Sequence, residues 1–71
     1  MRVENLDEEG RAALGAALEL FTELRDRGDY LNSIHAIMKV MKMFEDDVGF
    51  HKILSDMRDT TKNLWRVEMA K

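Results

Sequence analysis

The sequence predicts an all-α fold, a three-helix antiparallel bundle, and three observations carry that expectation. Apolar residues recur at spacings of three and four along most of the chain, the period of a helix with one covered face. The 71 residues include no proline, so long helices are permitted throughout. Two short polar stretches, at residues 27–29 and 46–49, interrupt the apolar pattern and divide it in three. The helices are expected over about residues 6–27, 30–45 and 47–69 of a single domain, residues 1–71.

The first five residues lack periodicity and are expected to fray. Asn5 can cap the first helix, with Glu8 three residues later as a capping box prefers. Asp7, Glu8 and Glu9 place negative charge at the positive end of the helix dipole. Leu14, Ala17, Leu18, Phe21 and Leu24 then follow at helical spacing. Gly10, Ala13, Gly15, Ala16 and Ala17 read as a small-residue seam that lets another backbone approach. Arg25 and Arg27 suit the negative helix end, Gly28 the left-handed position after it, and Asp29 the cap of the next helix.

The second helix holds the most apolar run, Ile34–Phe44. Only His35, Lys39 and Lys42 interrupt it, and they share one narrow strip. Ile34, Ile37, Met38, Met41 and Phe44 form its inner stripe, with Leu31 before it. Tyr30, Val40 and Met43 widen the apolar face beyond what one neighbouring helix would cover. Past Val48 the apolar set shifts to Phe50, Ile53, Leu54 and Met57, a rotation of about 200° at 3.6 residues per turn. The chain therefore breaks there, with Asp46 or Asp47 capping a third helix. Its inner stripe is expected to be Phe50, Ile53, Leu54, Met57, Thr61 and Leu64, with Trp65 and Met69 beside it.

A chain this short builds a small core, and below about 70–80 residues a single core rarely supplies more than about 3–5 kcal/mol. Without cysteine it has no disulfide staple. Association is the remaining source of stability, so a helical homodimer is expected, isologous as such assemblies usually are. The candidate partner or dimer interface is Leu31, Met38, Val40, Met41, Met43, Trp65 and Met69.

Net charge is −3, unevenly spread. Residues 1–29 hold four arginines against eight carboxylates, and residues 51–71 five cations against three. The two thirds are expected to attract one another, within the fold or across a dimer. Nothing approaches 18 consecutive apolar residues, and Glu4, Asp7, Glu8 and Glu9 stand where a signal peptide needs its apolar core. A cytoplasmic protein with no membrane contact is the expectation.

No chemistry-bearing motif emerges. Asp47, His51 and Ser55 share a helical face, but a triad also needs an oxyanion hole and a pocket, and no glycine-rich nucleophile turn is present. His35 and His51 lack the spacing of a helix-bundle metal site, and the run Glu45–Asp47 lacks the alternation of a calcium loop. No catalytic, metal or cofactor residue is assigned. The leading functional expectation is a small non-enzymatic protein-interaction module: a regulator, adaptor or inhibitor acting through an apolar helical surface. One alternative is a DNA-binding regulator whose third helix presents Lys52, Arg58, Lys62 and Arg66. Asp56, Asp59 and the acidic overall balance weigh against it, because phosphate contact wants clustered positive charge. The other alternative is a small subunit of a larger enzyme or assembly.

Overall fold

In a computed structural model describing residues 1–71, a 3-10 turn at Val3–Asn5 precedes three α-helices. These are α1 (Glu8–Asp26), α2 (Tyr30–Met43) and α3 (Val48–Met69). The expected all-α three-helix architecture is what the chain adopts. Each helix starts on an aspartate whose carboxylate accepts from a first-turn amide: Asp7 from Gly10 at 2.7 Å, Asp29 from Asn32 at 3.4 Å and Asp47 from Phe50 at 3.2 Å. Three orphan amides are satisfied by one device. Asn5 is not the first cap, because it closes the 3-10 turn two residues earlier. Gly28 ends the first turn at φ 81°, the left-handed conformation expected of it.

Gly10 of α1 faces Met43 and Phe44 at the far end of α2, while Leu24 lies by Asn32 at its start, so the two run antiparallel. Phe44 and Phe50 meet edge to face, centroids 5.1 Å apart, and Tyr30 shares a hollow with Trp65, so α3 is antiparallel to α2. Both outer helices pack on α2, and they meet one another only marginally. The result is an open layer with α2 in the middle, 43 × 21 × 12 Å in extent. At 1.5 Å per residue, α2 is about 21 Å long and α3 about 33 Å. The last turns of α3 therefore run past the start of α2 and lie beside Arg27 and Gly28.

The core joins Phe21 of α1, Ile37, Val40 and Met41 of α2, Phe44 just after it, and Leu54 of α3. Full burial of such a side chain contributes about 1.5–3 kcal/mol. Arg25 lies over the Phe21 ring at 5.6 Å and shields the edge of this core. Ser33 and Thr61 are fully buried as well. Their hydroxyls turn back onto their own helices, to the Tyr30 carbonyl at 2.8 Å and the Met57 carbonyl at 2.9 Å. No buried side-chain polar atom lacks a partner.

The first residues are not frayed. Val3 packs against the core, and its amide donates to Asp47 Oδ2 at 2.9 Å, fastening the N-terminal turn across the α2–α3 connection. This contact is invisible to periodicity, because it links residues 44 positions apart through a single hydrogen bond. The Val3 and Phe50 amides hold the Asp47 carboxyl below the usual aspartate range, with the nearby Arg2 charge adding to the effect.

Two predictions follow from this packing. Met41 is 6% exposed, so Met41→Asp places an unpaired charge in the core. A loss of about 3–5 kcal/mol is expected, comparable with the whole stability of a chain this size, and urea titration should find the variant largely unfolded. Asp47 has a depressed folded-state pKa, so its stabilising effect is present at neutral pH and lost as pH falls through that lowered value. Asp47→Asn should melt lower than wild type at pH 7, exchange its Val3 amide faster, and lose less further stability on acidification.

Candidate functional site

The structure divides the candidate interface residues into two groups, exposed and covered. Leu31 (48%), Met38 (46%) and Met43 (56%) are exposed on α2, as is Met69 (73%) on α3. Trp65 is half-buried beside Tyr30 at the α1–α2 turn. Val40 and Met41 are largely covered: they are 4% and 6% exposed and belong to the core, Val40 keeping only the edge that lines an apolar cleft against α1. The reason is that α1 and α3 approach α2 from two sides, and these two residues lie within the arcs they cover.

The small residues of α1 divide in the same way. Gly10, Ala13 and Ala17 form one wall of an apolar cleft, with Val40, Met43 and Phe44 opposite and Leu6 and Met1 at its end. Its volume is about 230 Å³. A Cβ at Gly10 would stand 3.0 Å from the Leu6 side chain, so the glycine lets the N-terminal turn close that end. Gly15 and Ala16 are not part of the seam; both are exposed, and nothing lies within 4 Å of a Cβ at Gly15. Further along the helix pair, a shallower hollow lies between Leu20 and Leu24 of α1 and His35, Met38, Lys39 and Lys42 of α2. The cleft can take one or two apolar side chains, and the lysines beside the second hollow suit an acidic neighbour.

On α3 the expected inner stripe separates into two. Leu54 and Thr61 are buried, and Phe50, Met57 and Trp65 half-buried. Ile53 and Leu64 are not in the core; they are 57% and 43% exposed. With α2 as its only close neighbour, α3 has a narrower arc covered than a closed bundle would cover. Ile53 and Leu64 join Val67, 57% exposed, on an uncovered apolar strip.

The cations of α3 do not form one patch. Arg58, Lys62 and Arg66 follow one another at i, i+4 and i+8 on a single flank. Lys52 lies about 120° around the helix from Arg58. Arg58 donates to Asp59 at 3.2 Å and to Ser55 at 3.3 Å, which partly neutralises the flank. No ion pair joins the basic end of the chain to acidic α1: the five pairs within 4 Å are local or involve the chain terminus. The Asp47, His51 and Ser55 side chains are not assembled either. Asp47 accepts from the Val3 and Phe50 amides, and Ser55 from Arg58. No group of three or more histidines or carboxylates is placed to hold a metal ion. No helix is long and apolar enough to cross a membrane.

The two stripes of α3 respond differently to substitution. Leu54→Ala should cost about 2–5 kcal/mol in chemical unfolding, whereas Ile53→Gln and Leu64→Gln should each change the stability of the isolated chain by less than about 0.5 kcal/mol. No protein-family model, curated protein or solved structure matches this chain.

Proposed function

We propose that the chain is a small non-enzymatic protein-interaction module, working as a homodimer and acting on another protein through the apolar surface of α1 and α2. The observation that carries this reading is the open α1–α2 cleft. It is walled by small residues, lined almost wholly by apolar side chains, and bordered by Met1 and the exposed Met43. A single apolar side chain on a surface is ordinary, but a cleft with adaptable methionines at its rim is the form of a partner groove. A regulator, adaptor or inhibitor that occupies the surface of its target fits this geometry, and so does a small subunit of a larger assembly. The cytoplasm is the compartment in which a cysteine-free, acidic chain of this kind is expected to act.

The DNA-binding alternative draws its support from the aligned Arg58, Lys62 and Arg66. It is the weaker reading, because Asp59 holds Arg58 and acidic side chains cover the exposed face of α1.

Capture from the native host with immobilised wild type and Met43→Glu in parallel tests the proposal. Met43 is 56% exposed, so the variant should keep its fold and circular dichroism while losing the protein that wild type retains. Equal retention by both would reject the cleft as the binding surface. A mobility shift on random duplex DNA at low salt, abolished by Lys62→Glu with Arg66→Glu, would transfer the assignment to the DNA-binding alternative.

A further inference from the structure

We infer that the segment of a partner protein taken by this chain is an acidic amphipathic helix, lying in the furrow between α1 and α2. The inference rests on the partner groove proposed above and names the chemistry of its occupant. Three observations support it.

The first is continuity. The cleft walled by Gly10, Ala13 and Ala17 and the hollow beside Leu20 and Leu24 open on the same side of the α1–α2 pair. Ala13 and Leu20 are seven residues apart on α1, as are Ala36 and Met43 on α2, so each pair shares one face of its helix. From Gly10 to Leu24 the furrow is about 21 Å long at 1.5 Å per residue. The middles of the two hollows lie about 12 Å apart along α1, close to two turns of a helix. Apolar side chains at i and i+7 or i+8 of one helix therefore reach both.

The second is the form of the walls. Leu20 and Met43 are 50% and 56% exposed, so apolar surface rises on both sides of the furrow. Both walls are helices, whose backbones are paired internally, so no strand edge is offered to an extended peptide. A helix satisfies its own backbone and brings only an apolar stripe to such a furrow.

The third is charge. α2 carries Lys39 and Lys42, with His35 one turn before Lys39, and no carboxylate. All three side chains are exposed along the hollow, and none makes an ion pair within 4 Å. No acidic side chain lines either hollow. Glu19 and Glu23 border a separate hollow with Leu18 and Thr22, on the other flank of α1, where Thr22 stands about 200° past Leu20. An apolar furrow with a lysine wall and no acid of its own complements a helix with carboxylates along one flank of its apolar stripe. The acidic face of a second copy's α1 suits it less. Between Glu8, Glu19 and Glu23 that exposed face offers only Ala12, Gly15 and Ala16, which are too small to fill the hollows.

Selection from a random display library of peptides of about 16 residues, panned on immobilised wild type, tests this chemistry. Enriched peptides are expected to be net negative, with apolar residues at i, i+4 and i+7 or i+8, and to gain helical circular dichroism on binding. Amide shifts on binding should cluster at Ala13, Leu20, Lys39 and Met43. Lys39→Glu with Lys42→Glu should weaken an enriched peptide at least about tenfold, and added salt should weaken its binding to wild type. Should that reversal cost helicity, Lys39→Gln with Lys42→Gln removes the charge alone and should weaken the peptide in the same direction. A selection that enriches nothing, or enriches neutral or basic peptides, would overturn the acidic helix, as would equal binding by the lysine variants. Shifts at these amides that follow protein concentration alone would place a second copy in the furrow and overturn it too. A natural partner lost by Met43→Glu but kept by the lysine variants would overturn the acidic occupant and leave the interaction module standing. One kept by Met43→Glu would reject the groove itself.

Discussion

Ile37 is fully buried at the middle of α2, in a cluster that takes Phe21 from one neighbouring helix and Leu54 from the other. This two-sided burial is the constraint from which the remaining structure follows. A helix as apolar as Ile34–Phe44 is stable in water only when more than one element covers it. Two neighbours that both give priority to α2 have little left to offer one another, and α1 and α3 meet only marginally. The molecule is a layer for that reason, and a layer of helices has more exposed edge than a closed bundle of the same length.

That edge carries the chain's exposed apolar surface. α1 leaves small residues along its approach to α2, and the space they leave is the apolar cleft. α3 is longer than the helix it covers, so part of its apolar surface has no counterpart within the chain. The N-terminal turn, fastened to Asp47, closes one end of the cleft and joins the α2–α3 connection to the region before α1. One carboxylate thus caps α3 and anchors the turn, which ties the shape of the cleft to the integrity of a helix start.

Much of this was legible in the residues. The helix breaks at Gly28 and near Asp47 follow from local chemistry, because a left-handed glycine and capping aspartates act over three or four positions. The breadth of the apolar face of α2 was legible too, as surplus exposed at Leu31, Met38 and Met43. What escaped the pattern depends on neighbours. Periodicity marks Ile53 and Leu64 as inward beside Leu54, and only the absence of a second neighbour for α3 separates them. The same holds for Val40 and Met41, whose burial reflects how far α1 and α3 reach around α2. The Val3–Asp47 bond spans nearly two thirds of the chain and leaves no local signature. Gly10, Ala13 and Ala17 were visible as members of a small-residue seam, but Gly15 and Ala16 of that seam lie outside the cleft, and neither Leu6 nor the α2 side of the cleft was marked by the pattern.

The layered arrangement also governs how the chain acquires its structure. Its helix–helix interfaces join elements adjacent in sequence, α1 with α2 and α2 with α3, through connections of only a few residues. Little loop-closure entropy is lost before the first interface forms, and topologies of such low contact order fold in microseconds to milliseconds. α2 is the element that both short-range interfaces share. The Val3–Asp47 hydrogen bond joins residues 44 positions apart, so it carries a larger loop-closure cost than either helix–helix connection.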